Sequence, residues 1–325
     1  MKAIANDRFG GPEMLRYIDI EKPTPGDKQV LVKVAAAAVN PLDWHMLRGK
    51  PFMIRTSPDL RGHRPMRPGR DVAGTIEAVG REVTRFQPGD EVLGATQGAF
   101  ADYVCGLEDA FVAKPDALSF EEAAAVPIGG LTALQALHDG GLKAGEKVLI
   151  NGASGGVGTF AVQIAKALGA EVTGVCSAAS VALVRELGAD RAIDYRQEDF
   201  TRGSERFDLI VDLIGSHSYR RMKRVLTPSG RIVAAGGGGG GAYSLGRWLV
   251  RTLAAALASK VAGRKVILCM SRLSLEDLEY LKALIAAGRL RPVIDRIFPL
   301  SQTREAMLYL GAGHAHGKVV ITTGA

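Results

Sequence analysis

The stretch Val148-Leu-Ile-Asn-Gly-Ala-Ser-Gly-Gly-Val-Gly158 decides how the rest of the chain is read. Val148–Ile150 has the composition of a buried strand, and Val157–Leu168 continues at helical spacing. Between them, Ala153-Ser154-Gly155-Gly156-Val157-Gly158 follows the Gly-x-Gly-x-x-Gly pattern, with alanine at the first glycine. In such a turn Gly155 lets the backbone approach a pyrophosphate, and Gly158 lets the helix pack close to its strand. The free amides and positive dipole of the helix N-terminus attract the anion. Ser154, Gly155, Gly156 and Val157 are therefore candidate cofactor contacts. The same residues would also serve as a tight strand–helix turn without a ligand, so the surroundings decide.

Downstream the chain alternates. Glu171–Cys176 reads as a second strand, Val181–Leu187 as a helix, Ala192–Asp194 as a short third strand and Phe207–Leu213 as a fourth. A basic helix around Arg220–Leu226, the strand Arg231–Ala235, six glycines at Gly236–Gly241 and an amphipathic helix near Leu245–Ala262 follow. Lys265–Cys269 reads as a sixth strand and a candidate sheet edge. Apolar runs alternating with helices imply right-handed crossovers and a parallel sheet covered on both faces. Upstream, Val30–Val34 and Val72–Val79 have strand composition, and Gly26-Asp27, Gly80 and Pro88-Gly-Asp90 punctuate them, so this part is a curled sheet or partial barrel. The Pro- and Arg-rich segment Lys50–Pro68 reads as a long loop. Ser119 with Glu122 forms a capping box that opens an Ala-rich helix, Ser274 with Asp277 opens another, and Val319–Thr322 is a final strand.

At 325 residues the length suits two domains, and 47% hydrophobic with 23% charged residues excludes wholesale disorder. Cys105, Cys176 and Cys269 are far apart, with neither disulfide nor metal-ligand spacing. No apolar segment runs long enough to span a membrane, and Met1–Gly11 has no signal core, which makes the cytoplasm the expected location. The net charge of +7 gathers at Arg55, Arg61, Arg64, Arg67 and Arg70 and at Arg220, Arg221, Lys223 and Arg224, without the aromatic interleaving of a nucleic-acid reader. Nucleic acid and membrane are not expected partners.

The end of the second strand discriminates between cofactors. A carboxylate there would bind the adenosine ribose hydroxyls of NAD, whereas this chain has Val175-Cys176-Ser177-Ala178-Ala179-Ser180. Hydroxyls without an acid suit a 2′-phosphate, and Tyr195-Arg196 after the third strand add a ring and a charge. NADPH is the expected cofactor.

Several motifs together resemble the medium-chain dehydrogenase/reductase superfamily, in its zinc-free quinone oxidoreductase-like branch. They are Val39-Asn-Pro-Leu-Asp43, Gly69-Arg-Asp-Val-Ala-Gly74, Pro88-Gly-Asp-Glu-Val92, Gly130-Leu-Thr-Ala133, the glycine turn, and Leu187-Gly-Ala-Asp190 with Ile193-Asp-Tyr195. The resemblance spans nearly the whole chain. It implies an α/β fold in which a GroES-like β-barrel domain (1–122 and 266–325) receives an inserted Rossmann doubly wound parallel-sheet domain (123–265). It further implies hydride transfer to a quinone or a conjugated carbonyl, and a homodimer.

In zinc-dependent members a cysteine and a Gly-His-Glu motif hold the metal; here Asn40 and Gly69-Arg70-Asp71 stand at those positions, leaving a poor zinc donor set. His63, His314 and His316 remain as alternative ligands without an evident third. By resemblance, Asn40 orients cofactor or substrate, Thr132 reaches the nicotinamide ribose or carboxamide, and Lys318 meets a cofactor phosphate. Asp43 is expected to anchor its own turn, and His45 is a candidate proton donor. Two other functions remain open: an enoyl-thioester reductase of polyketide type, using the same chemistry, and a non-catalytic NADPH-binding sensor.

Overall fold

The computed structural model describes residues 1–50, 55, 66–235, 250, 252–254, 257 and 265–324. Most of the Lys50–Pro68 loop with His63, the six glycines, and most of the expected helix near Leu245–Ala262 lie outside the described residues. Before the fingerprint come strands β1 (Lys2–Ala5), β2 (Arg16–Asp19), β3 (Gln29–Val39), β4 (Asp71–Val79), β5 (Glu91–Ala95), β6 (Tyr103–Leu107) and β7 (Phe111–Ala113). Then come β8 (Lys147–Asn151), β9 (Glu171–Cys176), β10 (Arg191–Asp194), β11 (Phe207–Asp212), β12 (Leu226–Ala235) and β13 (Val266–Cys269), and finally β14 (Ile294–Pro299) and β15 (Lys318–Thr322). The helices used below are α1 (Pro41–Arg48), α2 (Phe120–Ala125), α3 (Pro127–Asp139) and α4 (Gly158–Ala167).

Two compact units result: Met1–Leu131 with Leu273–Gly288 and Pro292–Ala325, and Thr132–Arg272 with Arg289–Arg291. These limits differ from the expected 1–122, 123–265 and 266–325. The return to the first unit comes later because β13 pairs in parallel with β12 (Ile232↔Val266 to Ala235↔Cys269) and so belongs to the inserted sheet. The entry into the second unit comes later because the Ser119 capping box opens only a six-residue helix, and Pro127 starts a new one. Both halves of that box form, with Glu122 N donating to Ser119 Oγ (3.2 Å) and Ser119 N to Glu122 Oε2 (2.9 Å).

In the first unit one seven-stranded sheet runs β14-β15-β3-β4-β5-β7, with β6 also paired to β3. The last strand lies antiparallel on β3 (Val319↔Val39 to Thr322↔Ala36), so the two chain ends build one sheet. Alternate side chains of β3, β4 and β15, among them Val32, Val34, Val72, Ile76, Val319 and Ile321, fill a common core with Phe100 and Phe111.

The second unit is a six-stranded sheet, β10-β9-β8-β11-β12-β13, parallel throughout. Val148, Leu149 and Ile150 are fully buried, as are Leu209, Ile210 and Val211, which is why these strands read as unbroken apolar runs. The order reverses at β8, whose neighbours are β9 on one side and β11 on the other. A crevice therefore opens at the carboxyl ends of β8 and β11.

The glycine turn lies in that crevice. Its left-handed residue is Gly152 (φ +98°), one position before the Ala153 that stands at the motif's first glycine. Ala153 fits because its fully buried methyl packs opposite Gly174 of β9, where a Cβ would come within 2.9 Å of it. A Cβ on Gly158 would be driven into the Gly152 carbonyl. Gly158→Ala should accordingly lower stability by about 1–3 kcal/mol, the usual cost of overpacking, and a thermal melt of parent against variant checks it.

Candidate functional site

The turn after β8 is pinned to the end of β9, since Val175 O accepts the amides of Gly152 (3.0 Å) and Ala153 (2.9 Å). Gly155 N folds back to Gly152 O (3.2 Å), and Thr159 N to Gly155 O (3.0 Å). Among the described residues, the amides of Ser154, Gly156 and Val157 meet no backbone acceptor. Among the described residues, a Cβ on Gly155 would approach only Gly152 O, at 3.6 Å. Unpaired amides at a helix N-terminus are a group that suits the diphosphate of a dinucleotide.

Ser177 and Tyr195 follow β9 and β10 directly, and Tyr195 N donates to Cys176 O (3.1 Å), which joins the two strand ends. Ser177 Oγ lies 3.4 Å from Ser180 Oγ, and the Arg196 guanidinium lies 5.8 Å from the centre of the largely exposed Tyr195 ring. Ser177, Tyr195 and Arg196 thus share one corner of the sheet. That corner also holds an acid outside the candidate set, Asp194. Its Oδ1 accepts Arg196 N (3.1 Å), and burial followed by the Asp194 charge pushes the Cys176 thiol up to about 11. Thr132 is buried on α3.

The first unit holds the other candidates. Asn40 is the N-cap of α1, and Asp43 Oδ2 accepts its backbone amide (2.8 Å) while Asn40 O accepts the amide of Asp43 (3.0 Å). Asp43 therefore anchors its turn. Burial pushes its carboxyl up to about 7, the Asn40 amide opposes the rise, and the Asp71 charge adds to it.

Two resemblance-based roles need correction. Asn40 Oδ1 accepts from Lys318 Nζ (2.6 Å), while Asn40 Nδ2 donates to Asp71 Oδ2 (3.0 Å) and Ala38 O (3.3 Å). Lys318 Nζ also donates to Asp71 Oδ2 (2.9 Å), and Asp71 Oδ1 accepts Ile128 N (2.9 Å). Lys318 is 3% exposed and Asp71 is fully buried. Lys318 is thus the internal counter-ion of Asp71 rather than a group presented to a phosphate, and the amide of Asn40 is committed within the cluster. His45 is half-buried on α1, and burial and then the Arg48 charge lower its pKa.

The donor set does not fit zinc. The amide and carboxylate oxygens of Asn40 and Asp71 already converge on an ammonium, and the neighbouring side chain, Arg70, is itself a cation. Lys318→Met should leave the Asp71 carboxylate buried without its charge partner and cost about 3–5 kcal/mol. The double variant Asp71→Asn/Lys318→Met should recover much of that loss, as denaturant unfolding of both variants and the parent would measure.

Comparison with known proteins agrees with both units. The family model described as "Alcohol dehydrogenase GroES-like domain" matches residues 26–116, and the one described as "Zinc-binding dehydrogenase" matches residues 187–321. The mouse protein "NAD(P)H oxidoreductase RTN4IP1, mitochondrial" is 35% identical, over 99% of this chain and 89% of its own. A solved quinone oxidoreductase from Coxiella burnetii superposes with a TM-score of 0.86 at 34% identity, covering 99% of each chain. The CurK enoyl reductase superposes at 0.85 with 26% identity, again over 99% of each. Barrel, inserted Rossmann sheet and whole-length similarity agree, and the chain belongs to the medium-chain dehydrogenase/reductase superfamily, among its quinone oxidoreductase-like oxidoreductases.

Proposed function

We propose that the chain is a zinc-independent, NADPH-dependent reductase that transfers hydride to a quinone or an α,β-unsaturated carbonyl. The observation that carries this reading is the carboxyl edge of the inserted sheet. Among the described residues the amides of Ser154, Gly156 and Val157 meet no backbone acceptor, and Ser177 with Arg196 lies at the neighbouring strand ends. When bound, a dihydronicotinamide supplies a hydride to an electrophilic carbon. The chain's own residues bind and orient: the turn amides neutralise the diphosphate, and the Ser177 hydroxyl and Arg196 guanidinium hold the 2′-phosphate with charge-assisted bonds. Zinc independence rests on Lys318, whose ammonium occupies the oxygens that a metal would need. The similarity to CurK supports acyl thioesters as a second substrate class. A cytoplasmic location and a homodimer through β13, the edge strand of the inserted sheet among the described residues, remain part of the proposal.

NADPH oxidation across a panel of enones, quinones and enoyl-CoA thioesters tests the reading; turnover of none of them would refute it. NADPH should bind more tightly than NADH by about 1.5–3 kcal/mol, the range for a hydrogen bond to a charged group. Ser177→Asp should shrink or invert that preference, because it sets a carboxylate against the 2′-phosphate. Titrating both cofactors against parent and variant measures this, and equal affinities in the parent contradict it. Prolonged dialysis against a chelator should leave turnover unchanged, with elemental analysis finding less than one zinc per chain.

A further inference from the structure

A second polar cluster stands on the other side of the crevice and has no part in the reading above. Asp212, the last residue of β11, is fully buried. Its Oδ1 accepts Asn151 Nδ2 (2.8 Å), Gly215 N (2.9 Å) and Ile214 N (3.3 Å). Asn151 ends β8, and its backbone carbonyl accepts Leu213 N (3.1 Å). The Ile214 side chain packs over Gly152, where a Cβ would meet its Cδ1 at 2.9 Å. The segment 213–217 is thereby clamped against the diphosphate turn from below and from the side. Two exposed or half-exposed polar groups stand at its tip. Ser216 Oγ lies 2.9 Å from His217 Nδ1 and 3.4 Å from Asn151 Nδ2.

Proton placement follows from the partners. His217 Nε2 faces Asp199 Oδ1 at 3.3 Å, and the Phe200 ring meets the imidazole edge-on at 4.9 Å between centroids. A carboxylate beside Nε2 favours the tautomer with its proton there, which leaves Nδ1 as an acceptor. Ser216 must then donate its hydroxyl hydrogen to Nδ1. A hydroxyl has two acceptor lone pairs, and Asn151 Nδ2 takes one. Among the described residues nothing takes the other, so Ser216 keeps a hydrogen-bond acceptor for a ligand in the crevice.

The covalent order of a dinucleotide says what enters. With the adenosine end at β9 and β10 and the diphosphate at the turn after β8, the sheet order leaves the β11 side for the other half of the ligand. The next group along that half is a ribose, whose hydroxyls can donate; the diphosphate itself cannot. We propose that Ser216 Oγ accepts a hydroxyl of the nicotinamide-side ribose and that His217 is the positioning residue that fixes Ser216 as an acceptor. This rests on the reading of the second unit as a dinucleotide site.

The test compares NADPH with 2′,5′-ADP, which keeps the adenosine end and lacks the nicotinamide ribose. Dissociation constants are measured for parent, Ser216→Ala, His217→Phe and the double variant, with a thermal melt of each. Phenylalanine keeps a ring against Phe200 and removes the acceptor. Ser216→Ala should weaken NADPH about three- to tenfold, the range of one neutral hydrogen bond. His217→Phe should weaken it less, and the double variant should be no worse than Ser216→Ala alone, because both act through one contact. Binding of 2′,5′-ADP should stay within about twofold throughout. Unchanged NADPH affinity in Ser216→Ala overturns the proposal. So does equal weakening of both ligands, which would mean that the segment acts only by holding the fold. A parent chain that binds neither ligand overturns the dinucleotide reading beneath it.

Discussion

Everything at the cofactor edge depends on β8 being paired in parallel on both sides, with Val148 opposite Val172 and also opposite Leu209. A strand so placed is buried on both faces and both edges, so only its ends can carry polar groups. Its carboxyl end does so twice. Backbone amides of the following turn bind Val175 O, and the Asn151 side chain binds Asp212. Among the described residues the amides of Ser154, Gly156 and Val157 meet no backbone acceptor, and this unmet hydrogen-bonding capacity is what supports the proposed binding site at the edge.

The barrel unit solves a different problem. Its strands β3 and β15 meet where Asn40, Asp71 and Lys318 are nearly inaccessible to water. A buried carboxylate is tolerable only when its charge and lone pairs are met. Here an ammonium, a side-chain amide and the Ile128 backbone amide meet them. The cluster ties four segments at one point: the end of β3, the start of β4, the start of β15 and the first turn of α3.

The alternation of apolar runs with helices, the glycine turn between β8 and α4 and the hydroxyl-bearing end of β9 were all legible in the sequence, because each is a local pattern with a period or fixed spacing. Ser119 with Glu122 was legible for the same reason. The sequence did not show that Gly152 takes the positive φ, nor that Ala153 is accommodated because Gly174 faces it. No local pattern carries that compensation. Lys318 was misread for a similar reason, as its partners lie 278 and 247 residues away. Asn151 and Asp212 went unnoticed, although each is a polar residue closing an apolar strand, and Asp212 begins a turn to Gly215. That was the available sign. The limits of the inserted unit shifted because β13 reads the same whether it closes one sheet or opens the next.

Hydrogen–deuterium exchange of the intact chain with and without NADPH tests the central claim, that the dinucleotide lies along the carboxyl edge of the inserted sheet. The account predicts slowed exchange in peptides covering 152–158, 175–180 and 213–217, with β1 and β2 of the barrel unaffected. Protection absent from those three segments, or confined to the barrel strands, would contradict it.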